Sequence, residues 1–154
     1  MIPSTPSSAT DLHVVIGAAG GTGAALVHEL HRRGLAVRAV TRSGSAPDLP
    51  PGTQIVKADA ANAASLRTAV AGAAIVYHAA NVPYPRWVAE LPGITAAIRD
   101  ATADAGAKLV FADNLYAYGP TTGAMTEATG WDAGAMQGLE SKFHLTCSCS
   151  SRSR

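Results

Sequence analysis

Short apolar runs alternate along this chain with Ala-rich stretches of helical period, and glycine or a polar residue marks each change. His13-Val14-Val15-Ile16 reads as a buried strand, and Ala36–Thr41, Gln54–Lys57, Ala74–His78 and Lys108–Ala112 repeat the type. Between them, Gly21–Arg33 sets Leu26, Val27 and Leu30 on one face and is followed by Gly34, a residue suited to a left-handed helix stop. Asn62–Ala71 predicts a second helix with Asn62 as its N-cap. Ile94, Ala97, Ile98 and Ala101 predict a third, from near Gly93 to Ala105, with Pro92 in its first turn, where a missing N–H costs nothing. Residues 43–52, rich in proline, glycine and serine, predict a loop. Strands alternating with helices imply right-handed crossovers and a parallel sheet, and near-continuous apolar strands fit a sheet covered on both faces. The expectation is a doubly wound α/β domain of about five strands in the order 3-2-1-4-5.

Composition narrows the class. The 154 residues suit one domain, and 47% hydrophobic against 15% charged residues indicates a packed core and not disorder. A formal net charge of +1, with no basic run before the extreme C-terminus, argues against a nucleic-acid surface. No apolar stretch reaches the roughly 18–20 residues needed to span a bilayer. The opening MIPSTPSSATDL has neither a positive n-region nor an apolar h-region, so it reads as a polar leader and not a secretory signal. Cys147 and Cys149 are separated by one residue, a spacing that disfavours a disulfide framework and lacks the second half of a zinc site. The chain reads as cytoplasmic.

The stretch VVIGAAGGTGAALVHEL changes the picture most. Gly17, Gly20 and Gly23 stand at G-x-x-G-x-x-G spacing between a predicted strand and a predicted helix. In that setting Gly17 permits the tight turn out of the strand. Gly20 lets backbone N–H groups approach a pyrophosphate with no Cβ in the way, and Gly23 lets the helix pack close to the sheet. Gly21 and Thr22 add backbone donors, and the helix N-terminus adds roughly half a positive charge. Without its context this is a Gly-rich loop; inside a βαβ unit it predicts a Rossmann-type site for a dinucleotide, NAD or NADP.

The second strand ends AVTRSG, with no carboxylate to hold the ribose hydroxyls of NAD. Arg42 at that point suits a 2′-phosphate through a forked, charge-assisted contact, so NADP is preferred; its alternative is an ordinary solvated Arg. Asp59, after the third strand, reads equally as an acceptor for the adenine amino group or as a cap for the following helix.

These residues together resemble the extended short-chain dehydrogenase/reductase family, in particular its NAD-dependent epimerase/dehydratase branch. The resemblance rests on GAAGGTG (Gly17–Gly23), Asp59, HAA (His78–Ala80) and LVFADNLYAYGP (Leu109–Pro120), and spans roughly residues 12–130. It implies that Ala79, Ala80 and Asn81 lie under the nicotinamide-ribose side of the coenzyme, where small residues let it pass. Close packing alone also explains the two alanines. His78 reads as a strand-end residue and not a base, since nothing nearby in sequence would orient it. The family carries a Ser or Thr after the fifth strand, then Tyr and Lys at Y-x-x-x-K spacing for proton transfer. Here the Ser position falls on Asn114, which can donate to a carbonyl oxygen. No tyrosine follows Tyr118, and Lys142 is preceded four residues earlier by Gly138, so the catalytic pair is missing. Tyr116 is the phenol placed to point into the cleft, while Tyr118 packs against the Gly-Pro turn. Tyr84 and Trp87 read either as pocket lining or as cover for the sheet.

The implied plan is a leader over residues 1–11, a dinucleotide domain over 12–130 and an unrelated tail over 131–154, as a frameshift or truncation would produce, the alternative being a true short protein with its own ending. The intact form would be a hydride-transfer oxidoreductase or epimerase acting on a small carbonyl compound or nucleotide sugar. The alternatives are a non-catalytic dinucleotide-binding module and an inactive fragment.

Overall fold

The computed structural model describes residues 11–113, 118, 122–126 and 129. The chain divides into two units, Met1–Ala112 and Asp113–Arg154. The first holds β1 (Leu12–Ile16), α1 (Gly21–Arg32), β2 (Ala36–Thr41), β3 (Gln54–Lys57), α2 (Ala63–Val70), β4 (Ile75–His78), a 3₁₀ turn (Tyr84–Arg86), α3 (Trp87–Asp104) and β5 (Lys108–Phe111). In the second, Thr126 and Thr129 bond to each other: the Thr126 N–H donates to Thr129 Oγ1 and the Thr129 N–H to the Thr126 carbonyl, both at 2.9 Å.

All strand pairs are parallel and the order is β3-β2-β1-β4-β5. The Rossmann-type expectation therefore holds, strand for strand. The central strand is the most apolar and the most buried: Val14, Val15 and Ile16 have neighbours on both sides and on both faces. Register carries the pleat across the sheet. Val15 stands beside Ala39 and Tyr77, and this face packs on Val27 and Leu30 of α1. Arg38, one residue before Ala39, points the opposite way. There its guanidinium donates to the carbonyls of Ala69 (2.8 Å) and Ala71 (2.9 Å), tying off the end of α2. So α2 covers the face opposite α1. Its companion α3 packs against it and against β4 and β5.

Local signals explain most element ends. Gly34, at φ +71°, follows α1, and the Leu35 N–H returns to the Leu30 carbonyl (3.2 Å). Asn62 caps α2 by accepting from the Ser65 N–H (3.0 Å). The start of α3 differs from expectation. The helix begins at Trp87, more than a turn before Gly93, and Pro92 lies inside it. Proline cannot supply the N–H that would bond one turn back. The extra turn is held instead by the buried Leu91, by the Arg86–Glu90 ion pair, and by the Trp87 indole N–H, which donates to the Val82 carbonyl at 2.8 Å. No described helix is long and apolar enough to cross a membrane.

Candidate functional site: a cleft at the strand ends

At the carboxyl ends of β1, β2 and β4 lies a cleft of about 310 Å³. Its walls are the β1 turn (Ile16, Gly17, Ala19, Gly20), the end of β2 (Val40, Thr41, Arg42), the residues flanking Asp59 (Ala58, Ala60) and the exit from β4 (Ala79, Ala80, Asn81). A parallel sheet whose strand order reverses places its ligand crevice at this point.

The glycine turn is built by close approach. Gly17 has φ +88°, and a Cβ there would lie 2.5 Å from Ala80 N and 2.6 Å from the Ala79 carbonyl group. The Val40 carbonyl accepts from both Gly17 N–H (3.1 Å) and Ala18 N–H (3.2 Å), which locks the turn to β2. At Gly23 a Cβ would lie 2.2 Å from the Gly17 carbonyl oxygen, so the first turn of α1 rests directly on the loop. Gly20 is different: it lines the cleft, and a Cβ there would meet only the Gly17 oxygen, at an ordinary 3.5 Å. Gly20 is also the N-cap of α1, offers no side-chain cap, and is followed by no acidic residue in the first turn. The N–H groups of Gly21, Thr22 and Gly23 have no carbonyl one turn back, and this end of the helix favours negative charge. The cradle therefore fits a diphosphate.

A family model described as NAD(P)H-binding matches residues 17–137. The chain belongs to the NAD(P)H-binding family.

Solved structures agree with that membership. This NAD(P)H-binding chain is similar to MoeE5 in complex with UDP-glucose and NAD: 31% identity, TM-score 0.59, 77% of this chain and 41% of that one. A short-chain dehydrogenase/reductase superfamily protein from Agrobacterium tumefaciens with bound NAD gives 26% identity and TM-score 0.62, over 79% of this chain and 39% of that one. Uronate dehydrogenase from the same organism shares the fold at 23% identity and TM-score 0.61, over 71% and 43%. The chain thus spans half or less of the length of these structures. A search of curated protein sequences returns no match.

Of the residues expected in the site, Gly17, Gly20, Arg42, Ala79 and Ala80 line the cleft, and Gly21, Thr22 and Gly23 form the helix start beside it. Arg42 is exposed. Asp59 sits between two lining residues but is not one of them. Its Oδ1 accepts from the Ala61 N–H (3.0 Å) and its own N–H donates to Ser65 Oγ (3.3 Å), so it shapes the turn into α2. Asn114 and Tyr116 lie outside the described residues, as do Lys142, Cys147 and Cys149. Tyr84 is 68% exposed and stacks at a tilt on Trp87, ring centroids 5.1 Å apart.

His78 has the orientation that its sequence neighbourhood does not provide. Thr95, on α3, places its hydroxyl 3.1 Å from His78 Nε2, and the Phe111 ring meets the imidazole edge-on at 4.6 Å. Burial pushes the imidazole down to about 4, so it is uncharged at neutral pH. On the other face, His13 Nδ1 lies 3.0 Å from Tyr77 Oη with the rings stacked; burial lowers the His13 pKa and the charge of Asp11 partly offsets that. Neither pairing is visible in local sequence, because each joins residues that only the sheet brings together.

Proposed function

We propose that this chain is the coenzyme-holding part of an NADP(H)-dependent oxidoreductase or epimerase of the epimerase/dehydratase type, cytoplasmic, acting on a small carbonyl compound or a nucleotide sugar. The observation that carries the reading is the Gly17 turn. It is pressed against Ala79–Ala80 and Gly23 so closely that no side chain fits, while Gly20 leaves the mouth of α1 open. The UDP-glucose and NAD held by MoeE5 support the substrate and coenzyme classes. When bound, the nicotinamide supplies the hydride acceptor or donor.

The residues of the chain do the rest. The N–H groups at the start of α1 hold the diphosphate. Ala79 and Ala80 form a floor without bulk beneath the second nucleotide. Arg42, where a NAD-preferring site carries a carboxylate, pairs with a 2′-phosphate. Asp59 accepts from an adenine amino group with the lone pairs left beside the one that takes the Ala61 N–H. Asn114 donates to the substrate oxygen and Tyr116 carries the proton.

Titration calorimetry with NADPH and NADH tests the reading. Arg42→Ala should weaken NADPH about tenfold or more, the scale of a lost charge-assisted pair, and leave NADH nearly unchanged. Equal losses for both coenzymes would remove the 2′-phosphate role. No heat with either coenzyme on folded wild-type protein would overturn the whole reading.

A further inference from the structure

We propose that His78 and Thr95 are a positioning pair for the cleft: they pin the carboxyl end of β4 to α3 and so hold the Ala79–Ala80 peptide where the second nucleotide of the ligand needs it. The inference rests on the dinucleotide reading above.

The backbone shows why an anchor is needed there. The His78 carbonyl accepts from the Ala112 N–H (3.0 Å) and the Ala79 N–H donates to the Ile16 carbonyl (2.9 Å), which are the last sheet bonds on this strand. The chain then leaves the sheet and passes so close to Gly17 that the two backbones touch. Alanine has only a methyl group and cannot anchor itself. What fixes Ala79–Ala80 is what stands at either end. Downstream, Val82 donates its N–H to Asn81 Oδ1 (2.8 Å) and accepts from the Trp87 indole (2.8 Å). Upstream stands the His78 side chain, 1% exposed, against Thr95, 2% exposed. Both anchors lead to α3, one to its first turn and one to its middle, so α3 sets the path of the crossover segment.

His78 is also a costly residue for mere filling. Its Nδ1 is buried and has no partner among the described residues. An apolar side chain of similar size would avoid that burden, whereas only a polar one can take its direction from the Thr95 hydroxyl.

The test separates the two halves of the ligand. A dinucleotide reaches past Ala79–Ala80, whereas ADP occupies only the first nucleotide half, along β1 and β2. Thr95→Val keeps the shape and removes the hydroxyl; His78→Leu removes the imidazole. Each should weaken NADH and NADPH about tenfold, as lost preorganisation does, while ADP affinity stays within about twofold. The double variant His78→Leu/Thr95→Val should lose no more than either single one, since both break the same contact. His78→Gln, whose amide can still reach Thr95, should restore the dinucleotide-to-ADP affinity ratio. Equal losses for ADP and dinucleotide, or unchanged dinucleotide affinity in Thr95→Val, would overturn the positioning role. Wild-type protein that binds neither coenzyme would instead overturn the site reading itself and this inference with it. Should His78→Leu not fold, Thr95→Val decides alone.

Discussion

At the scale of single residues, the glycines of the turn differ in what they tolerate, and the difference is measurable. At Gly17 an added methyl group meets backbone at 2.5 Å and a φ of +88°, and at Gly23 it meets the Gly17 carbonyl at 2.2 Å. Gly17→Ala and Gly23→Ala should each lower unfolding stability by about 2–4 kcal/mol, the range of overpacking and backbone strain, and abolish coenzyme binding. At Gly21 nothing lies within 4 Å. Gly21→Ala should leave binding intact and add about 0.5 kcal/mol, because alanine loses less backbone freedom in a helix. Thermal melts with and without NADPH on the three variants check this. The glycine turn that lines the cleft was legible in sequence, since tight turns advertise themselves through glycine. Asp59 was ambiguous in sequence because a carboxylate before a helix suits a turn as well as a ligand.

At the scale of elements, the junction of β4 and α3 predicts a pH dependence. The folded pKa of His78 is depressed from 6.5 to about 4 by burial. The unfolded chain therefore binds the proton first as pH falls. The contribution is fully present above about pH 6.5 and is lost progressively towards pH 4, by roughly 3 kcal/mol at one kcal-scale step per pKa unit. His13, lowered for the same reason, acts in the same direction. Urea unfolding between pH 4 and 7 should show stability falling on the acid side, and His78→Gln should flatten that slope. Strand positions and the ends of α1 and α2 were legible from period, Gly34 and Asn62. The start of α3 was not: Pro92 looks like a first-turn residue, and only the packing of Leu91 and the bond from Trp87 to Val82 reveal the turn before it.

At the scale of the whole molecule, a ligand that binds only the folded chain must stabilise it. At a hundredfold excess over Kd, NADPH should add about 2.7 kcal/mol and raise the melting temperature by several degrees or more. ADP at the same multiple of its own Kd should do the same, because the gain depends on that ratio and not on the size of the ligand. A midpoint that does not move with either would show that the cleft does not bind nucleotide.

What the chain's order of residues determined unaided is short-range: five apolar strands, the helices between them, and a glycine turn between the first strand and its helix. Periodicity, caps and turn chemistry act within a few residues, so they are written locally. The tertiary structure alone decided which peptide presses on Gly17, that His78 faces Thr95, and that Asp59 bonds into a turn. Those outcomes depend on sheet register and on which face each helix covers, and they join side chains that sequence holds far apart.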